Sequence, residues 1–397
     1  MWWLSFALHD MAFGLLSVFL PLYVLSIGGS LLDVGLLTSL SILASVPADL
    51  SWGRVSDRVR RYKPFIAFSF ISLAVVLYAI SFVRDMKLLI ALYALAGVLH
   101  SAHESPKNAL LAEAYPREEW GRGFAVQRLF ADTGWMLGLV LGFFASQYNL
   151  GPPQTLMLCS GLHVAAFLCA LVFVNDPALV IERKLLAIER ALERACTWLR
   201  VFERAFNGGR VEVGSAMSEL RVLCLGMVLF LLAGSMFFTP LPVFLSQALG
   251  LSQSTIFVLY VLNTFGSLLG YLLIVRGSVD QIEGRAVRGS ALCRSILAIA
   301  LALAITTSSL DVIAMTIILV LMGFTYAVFF VCSLILSMEL VPEGKSGLFA
   351  ALVNLSSACG ALLGPLVAEK AGFVSMFLIC GLTFLATYVV LGRLKKD

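Results

Sequence analysis

The sequence predicts an all-α membrane protein with twelve transmembrane helices, arranged as two six-helix pseudo-repeats. Three observations support this fold class: an unusually apolar composition, twelve apolar runs of membrane-spanning length, and an internal repeat that relates the two halves of the chain. Because the repeat relates helix n to helix n+6, the three observations describe one architecture.

Composition places much of the chain in lipid. Of the 397 residues, 60% are hydrophobic and 13% are charged, with a mean hydropathy of +0.95. A soluble domain carries about 25% charged residues, so this apolar excess does not fit one water-soluble core. The formal net charge is +4, but the basic residues are spread between the apolar runs. That spread is typical of membrane topology signals, and we expect no nucleic-acid partner.

Twelve apolar runs are each close to the length of about 20 residues that an α-helix needs to cross the hydrocarbon. They are too long and too uniformly apolar to be the strands of a membrane barrel. The predicted helices cover 4–27, 32–56, 64–82, 88–111, 124–147, 155–174, 220–247, 255–275, 289–307, 311–338, 347–368 and 371–392.

The distribution of Lys and Arg predicts the orientation of these helices. Three of the 28 basic residues fall in predicted outer loops, and two, Lys107 and Arg128, fall inside helices away from the cytoplasmic segments. The other 23 lie in the predicted cytoplasmic segments or in the helix ends next to them. Cytoplasmic segments carry an excess of Lys and Arg, so the N- and C-termini are both predicted to be cytoplasmic. The protein is expected to be a multi-pass protein of the plasma or inner cell membrane.

A charged segment divides the chain into two bundles. We predict an N-terminal six-helix bundle over 1–174, a cytoplasmic linker over 175–219 and a C-terminal six-helix bundle over 220–397. Between Pro177 and Phe206, apolar residues recur at helical spacing and Arg and Lys occupy polar positions. This pattern is typical of an amphipathic helix on the membrane surface, where it would tether the two bundles.

The two halves share a repeated segment. Residues 113–138 align without gaps on residues 339–364, and eight of the 26 positions are identical, including Gly138 with Gly364. The alignment relates the fifth predicted helix to the eleventh. Parallel six-helix repeats recur among transporters, which bind substrate near the midplane between the repeats.

The segment after the second predicted helix reads GRVSDRVRRYK and begins at Gly53. It resembles the signature G-x-x-x-D-R-x-G-R-R of the major facilitator superfamily, with Gly53, Asp57, Arg58 and Arg61 at matching positions and two later positions different. Together with the twelve predicted helices and the repeat, the resemblance covers essentially the whole chain. It implies a secondary transporter whose two halves rock around a central cavity.

The resemblance also implies a conformational latch. In that family the aspartate of the signature faces the second half and stabilises the outward-open state, a role that falls here to Asp57. A carboxylate is favoured near the N-terminus of a helix, such as the eleventh, and Gly53 would allow the close approach. Arg58 and Arg61 complete the predicted latch. In the alternative interpretation, Asp57 and Arg58 pair as solvated loop charges.

Ionisable residues inside membrane helices are costly and therefore indicate function. In the fourth predicted helix, His100, His103, Glu104 and Lys107 are spaced i, i+3, i+4 and i+7, which places them on one face. A carboxylate in such surroundings can take up a proton, and histidine titrates near neutral pH. This face is predicted to serve proton coupling or substrate binding.

Two further helices of the first half carry charges. Asp10 lies in the first predicted helix, and Arg128 and Asp132 lie at i and i+4 in the fifth. The resemblance implies that the first and fourth helices line the cavity with the fifth beside them, so these charges would form the cavity floor. The opposing interpretation is a neutralised buried network that only holds the helices together. We assign Asp49, in the second helix, a structural role.

The second half is predicted to offer the cavity an apolar wall. Its ionisable residues Arg294, Glu339 and Glu369 fall near the predicted helix ends. Neutral polar side chains are expected to line its side of the cavity: Tyr260, Asn263, Tyr326 and Asn354.

Three functions remain open. The first is secondary active transport of a small organic or drug-like solute, coupled to protons carried by Glu104 and Asp10, with Lys107 or Arg128 binding an anionic group. The second is transport of a divalent metal cation, for which imidazole and carboxylate groups are suitable ligands. The candidate metal ligands are His9, Asp10, His100, His103 and Glu104. The third is a non-transporting receptor or scaffold, which the short outer loops disfavour.

Enzyme motifs are incomplete. His103 and Glu104 begin the zinc-protease motif H-E-x-x-H, but Lys107 occupies the position of the second histidine. We therefore predict no catalytic residue and no cofactor. The expected partners are the lipid bilayer, the transported solute or ion, and the proton, and the protein is expected to be a monomer.

Overall fold

The computed structural model describes residues 2–59, 61–114, 120–176, 213–276, 283–307, 311–340 and 346–394. Within these residues all regular structure is helical, as predicted. The α-helices are α1 (Trp3–Ser26), α2 (Leu31–Val59), α3 (Lys63–Ile80), α4 (Met86–His100), α5 (Glu104–Ala114), α6 (Trp120–Gln147), α7 (Pro152–Phe173), α8 (Val213–Phe238), α9 (Leu241–Gln247), α10 (Gln253–Arg276), α11 (Glu283–Thr306), α12 (Val312–Leu340) and α13 (Ser346–Leu391).

Eleven helical stretches of the described chain are long and apolar enough to cross a membrane. The last of them, Ala351–Leu391, has 41 residues. At about 1.5 Å per residue it is about 60 Å long, which is twice the roughly 30 Å thickness of the hydrocarbon. Gly372 interrupts it with a φ of +83°, a backbone conformation that glycine adopts readily. The stretch is therefore two helices joined at Gly372, consistent with the eleventh and twelfth predicted helices.

Large apolar side chains lie on the outside of the described helices. Val75, Leu273 and Ile313 expose 62%, 63% and 70% of their surface. Water-soluble proteins rarely expose wide apolar surfaces, whereas a protein dissolved in lipid has no reason to bury them. The predicted fold class, an all-α membrane protein, is confirmed.

The two halves repeat one helix contact. Glycines of α6 face the backbone of α1, and glycines of α13 face the backbone of α8, so closely that an added Cβ atom would overlap that backbone. The four pairs are Gly134 with Ala7, Gly138 with Met11, Gly360 with Leu232 and Gly364 with Met236. The glycines of the two halves are offset by 226 residues and their partners by 225. Small residues at this spacing let helices approach closely in lipid, so α1 packs on α6 as α8 packs on α13.

The first half, residues 2–176, meets the second half, residues 213–394, where α2 packs on α13 and α6 packs on α10. Polar contacts lie at both ends of the α2–α13 seam. The Leu32 amide N–H donates to Glu369 Oε2 at 2.7 Å, and Asn354 Nδ2 donates to Asp49 Oδ2 at 3.2 Å. The two contacts are about 26 Å apart along α2, so a polar contact holds the seam near each of its ends.

The fourth predicted helix, 88–111, is not continuous. Helix α4 ends at His100, a 3₁₀ turn covers Ser101–His103, and α5 begins at Glu104. Pro106 explains the break, because proline has no N–H to donate and its ring crowds the carbonyl group four residues earlier. Across this turn the four predicted side chains still lie together, since His100 Nε2, His103 Nε2 and Lys107 Nζ are 3.8, 3.3 and 2.7 Å from Glu104 Oε1.

The signature segment is helical over most of its length. Helix α2 continues to Val59 instead of ending at residue 56, so Gly53 to Val59 form its last turns and not a loop. The following helix, α3, is capped at its N-terminus by Asp176, a residue that follows α7. Asp176 Oδ1 accepts hydrogen bonds from the Tyr62 and Lys63 N–H groups at 2.6 and 2.9 Å, which satisfies donors at the N-terminus of α3.

The predicted cytoplasmic linker, 175–219, lies mostly outside the described residues, since 177–212 are not among them and α8 begins at Val213. The proposed surface helix between Pro177 and Phe206 therefore stays a prediction, as do the division into two bundles and the cytoplasmic orientation of the termini.

Candidate functional site

A cavity of about 500 Å³ lies between the two halves. Helices α1, α2, α4 and α6 line it on one side, and α8, α10, α11, α12 and α13 line it on the other. Its volume falls within the range of about 300–1,000 Å³ of sites that bind small molecules. The polar and aromatic side chains of its lining include Ser17, Thr38, Tyr93, Arg128, Asp132, Trp135, Tyr260, Asn263, Thr264, Ser267, Arg294, Tyr326 and Ser357.

Arg128 and Asp132 bring an ion pair to this cavity from the first half. Arg128 Nε lies 3.4 Å from Asp132 Oδ1, as their i, i+4 spacing on α6 allows. The Arg128 guanidinium also lies 5.1 Å from the ring centre of Phe330, on α12 of the second half. The pair is therefore neutral as a unit, faces the cavity, and contacts both halves.

Arg294 brings an unpaired positive charge from the second half. It lies near the middle of α11 and is only 1% exposed. Its guanidinium is 5.0 Å from the ring centre of Phe230 and 5.4 Å from that of Tyr326, and Nη2 donates to the Met322 carbonyl oxygen at 2.6 Å. Among the described residues no carboxylate forms an ion pair with it. The rings and the carbonyl replace water around the guanidinium but leave its charge uncompensated.

The prediction that the second half offers only an apolar wall is therefore wrong at Arg294. The ninth predicted helix began at residue 289, which placed Arg294 near a helix end. Helix α11 in fact begins at Glu283. Its first turns include Arg285 and Arg288, and these charges interrupt the apolar run that marks the rest of the helix.

Three of the four neutral polar residues predicted for the second half are in the cavity lining: Tyr260, Asn263 and Tyr326. Asn263 Nδ2 donates to the Leu319 carbonyl oxygen at 2.7 Å, which fixes the amide between α10 and α12. The structure places the fourth, Asn354, outside the cavity lining, where it holds α13 to α2 through Asp49.

All four histidines of the chain lie together inside the first half, away from the central cavity. The His9 ring, on α1, is central: its centre lies 5.0 Å from that of His100, 4.5 Å from that of His103 and 5.1 Å from that of His163. One ring nitrogen from each of His9, His100 and His103 lies within 4.8 Å of the other two. His163, on α7, was not predicted, because spacing along the chain cannot show that α7 packs beside α1.

Several imidazole nitrogens of this cluster have no hydrogen-bond partner among the described residues. They are His9 Nδ1, His9 Nε2, His100 Nδ1 and His163 Nε2. Buried polar atoms are nearly always hydrogen-bonded, and each exception costs about 1–3 kcal/mol. Four such atoms in one cluster indicate a place where a ligand would be favoured.

Glu104 and Lys107 border the histidine cluster. Lys107 Nζ donates to Glu104 Oε1 at 2.7 Å, and the same oxygen lies 3.3 Å from His103 Nε2 and 3.8 Å from His100 Nε2. Asp10 follows His9 on α1 and is half-buried. None of these residues belongs to the lining of the central cavity. The structure therefore divides the predicted charged floor into the Arg128–Asp132 pair and a second cluster around Glu104.

Only part of the predicted latch lies within the described residues. The nearest atom to a Cβ added at Gly53 is Ser105 Oγ, at 3.5 Å, so Gly53 faces α5 of its own half. Arg58 and Arg61 are exposed. The Asp57 side chain and residues 341–345, which precede α13, lie outside the described residues. The latch stays a prediction.

Comparison with known proteins places the chain in a family. The family model of the Major Facilitator Superfamily matches residues 2–358. Relatives named Multidrug resistance protein MdtG are 29% identical over 188 residues in Serratia proteamaculans and 31% identical over 188 residues in Proteus mirabilis. These alignments cover 46% of this chain and 45% and 46% of the relatives, so the chain spans about half the length of the curated relatives it matches.

A solved structure resembles nearly the whole chain. The crystal structure of the human organic anion transporter MFSD10 (TETRAN) covers 98% of this chain and 97% of its own, with a TM-score of 0.70 and 20% sequence identity. At that identity the likeness shows the fold alone. With the family model and the eleven apolar helices, it establishes the chain as a multi-pass protein of the plasma membrane that belongs to the Major Facilitator Superfamily.

Proposed function

We propose that this protein is a secondary active transporter for a small organic solute that carries an anionic group. The observation that carries the proposal is the cavity between the two halves, in which Arg294 presents a positive charge without a carboxylate partner. Substrate sites of such transporters lie between the repeats near the midplane. The protein is thus proposed to be a carrier and not an enzyme.

The charges in the cavity lining favour an anion. Arg128 and Asp132 compensate each other, so Arg294 leaves the described lining with one excess positive charge. Apolar and aromatic side chains make up much of the cavity lining, and they favour an organic solute over a bare inorganic ion. The curated relatives agree with a small organic solute, since they are named for multidrug resistance.

The Arg128–Asp132 pair is proposed to couple transport to protons. When the anionic group of the solute approaches Arg128, it competes with Asp132 for the guanidinium. A carboxylate that loses its cation in a low-dielectric cavity binds a proton more readily, so Asp132 takes up one proton from the side to which the cavity is open. After the halves rock, solute and proton leave on the other side and the pair forms again. The solute and the proton then move in the same direction.

Glu104 and Asp10 remain predicted proton carriers. Their distance from the cavity lining makes Asp132 the first candidate, because its carboxylate and the solute share one compartment. The predicted latch at Asp57 would act on the rocking of the two halves, at the predicted cytoplasmic end of α2.

Transport of a divalent metal cation is the second candidate function. One observation favours it, namely the three imidazole nitrogens of His9, His100 and His103 within 4.8 Å of one another. These residues all belong to the first half, however, and a transported ion needs a site that the rocking of two halves opens to each side in turn.

The test is transport-linked pH change in proteoliposomes that contain a trapped pH indicator. The panel should include organic anions, organic cations and divalent metal ions. We expect an organic anion to drive proton entry with the solute. Asp132→Asn should abolish proton entry but preserve the exchange of labelled for unlabelled solute, which needs no net proton movement.

Asp33→Asn is the matched control, because Asp33 is a half-buried carboxylate at the start of α2 that accepts from the Ser30 N–H and lies outside the cavity lining. Proton entry that persists unchanged in Asp132→Asn would refute the role of Asp132, and its loss in Glu104→Gln would transfer that role to Glu104. Flux driven only by metal ions would establish the second candidate instead.

A further inference from the structure

The histidine cluster has the composition of a metal site. The chain contains four histidines in 397 residues, and helix packing brings all four together from α1, the α4–α5 turn and α7. His9 and His103 are each 1% exposed and His163 is fully buried. Packing four imidazoles in an apolar bundle has no evident structural advantage over packing aromatic rings, because each imidazole nitrogen requires a partner.

The ring nitrogens are arranged so that several remain available to a ligand. Ser69 Oγ lies 3.1 Å from His103 Nδ1, which fixes that ring and leaves its Nε2 directed at Glu104. Both nitrogens of His9 and Nδ1 of His100 have no hydrogen-bond partner among the described residues. Hydrogen bonds to the second nitrogen of a histidine are the usual means of orienting a metal ligand, and Ser69 occupies that position for His103.

We propose that His9, His100 and His103 bind one transition metal ion of the Zn²⁺, Co²⁺ or Ni²⁺ type. Neutral imidazole suits these ions and does not suit Mg²⁺ or Ca²⁺, which prefer oxygen ligands. The nitrogens lie within 4.8 Å of one another, so modest rotations of the three side chains bring them to the bond length of about 2.0–2.1 Å from a common centre. Glu104 is the adjacent carboxylate, with Oε1 3.3 Å from His103 Nε2.

The ion is a resident of the first half and not the cargo. All three ligands come from helices of one bundle, so the site stays intact while the two halves rock against each other. None of the three lines the central cavity. His100 does line a smaller pocket of about 180 Å³ with Phe13 and Tyr93, and both of those residues also line the central cavity. This pocket gives the ion a route of entry.

The experiment uses the full-length protein in detergent, without a histidine tag and stripped of metal by a chelator. Co²⁺ is added, and binding is followed by the visible absorption of Co²⁺ in a nitrogen-ligand field. We expect one equivalent per chain, displaced by Zn²⁺ and unaffected by excess Mg²⁺. Because all four histidines of the chain lie in this cluster, no histidine elsewhere in the protein can contribute to the signal.

His9→Gln should lower the affinity for Co²⁺ by on the order of 100-fold or more, since it removes a ligand. His163→Gln is the matched control, because the His163 Nδ1–H contacts the Cys159 carbonyl oxygen at 2.9 Å and His163 is outside the group of three. It should retain the full stoichiometry. His100→Gln, at a half-exposed position, provides a second ligand variant if His9→Gln does not fold, and thermal unfolding without metal compares the folding of all variants.

Zn²⁺ should also raise the unfolding temperature of the wild type but not that of the ligand variants, because a ligand that binds only the folded state stabilises it. Failure of the wild type to retain Co²⁺, or an affinity in both His9→Gln and His100→Gln equal to that of the wild type, would overturn the proposal. Neither readout involves transport, so the metal site and the proposed function can fail separately.

Discussion

The first and second halves of this protein share a backbone arrangement but differ in where their charges lie. In both halves, glycines on one helix face the backbone of another at equivalent positions, with offsets of 226 and 225 residues. The first half contains the four histidines and the ion pairs of Glu104 and Asp132, whereas the second half contributes Arg294 to the cavity. The duplicated feature is thus the approach of two helices, and the chemistry is specific to each half.

The difference also concerns how each half balances its charges. Glu104 pairs with Lys107, and Asp132 pairs with Arg128, so each of these two carboxylates has a basic partner within the first half. Among the described residues, the Arg294 guanidinium contacts aromatic rings, a hydroxyl and a carbonyl. Unpaired charges in membrane proteins mark functional sites because they are costly to keep. Under our proposals, the second half would supply the charge that a solute satisfies, and the first half would supply the groups that exchange protons or bind metal.

The largest expected effect tests the shared backbone arrangement. Gly138→Val and Gly364→Val should each reduce the yield of folded protein more than about 10-fold, because the new side chain meets backbone that cannot move aside. Gly161→Val and Gly289→Val are the controls, one in each half, since no atom lies within 4 Å of a Cβ added there. Size-exclusion chromatography and thermal unfolding in detergent measure the outcome. Normal folding of Gly364→Val alone would show that the two contacts are not equivalent.

A smaller effect tests the contrast in charge. Arg294→Gln should raise the KM for an anionic solute by about 10- to 100-fold, the loss expected when a hydrogen bond to a charged group of about 1.5–3 kcal/mol disappears. Arg294→Lys should restore part of the affinity because it restores the charge. Arg288→Gln is the control: it lies six residues earlier on α11, over the Tyr388 ring and outside the cavity lining.

Solute counterflow in proteoliposomes measures these KM values without a contribution from the proton gradient. If Arg294→Gln weakens a neutral solute as much as an anionic one, Arg294 shapes the cavity and does not bind the anion. If the Arg288→Gln variant shows the same loss, the effect arises from the stability of α11.

The smallest effect concerns the seam between the halves. Glu369→Gln weakens the hydrogen bond from the Leu32 N–H at an exposed position, where such contacts contribute about 1 kcal/mol or less. We expect a few-fold faster amide hydrogen exchange in the first turn of α2, measured by mass spectrometry. Lys370→Gln, at the neighbouring exposed position, should leave that exchange unchanged. Equal exchange in wild type and Glu369→Gln would mean that this contact does not hold the outer end of the seam.

The sequence predicted the spanning helices well because spanning length and apolar composition are properties of a single segment. It also predicted that Arg128 and Asp132 share one helix face, because their i, i+4 spacing lies within a single helix. It could not predict that His163 meets His9, since that contact depends on how α7 packs against α1. Nor could it predict the 3₁₀ turn at Ser101–His103 in detail, although Pro106 is the residue that causes it.

Arg294 shows a different limit of sequence reasoning. Its burial depends on where α11 begins, and charges in the first turns of α11 masked that start. The aromatic rings that surround it come from three other helices, so nothing adjacent in the chain reveals its environment. The depth of such an arginine depends on the bounds of the whole helix, and these include the polar first turns that precede the apolar run.

The position of Arg294 has a consequence for how the chain enters the membrane during synthesis. An arginine at the centre of a helix costs about 2.5–3.5 kcal/mol at the insertion machinery, and α11 carries it before the partners on α12 and α13 have been made. Phe230 on α8 is available by then, whereas Met322, Tyr326 and Phe384 are synthesised later. We therefore expect α11 to depend on helices that follow it, so that the helices of the second half integrate as a group and not one at a time.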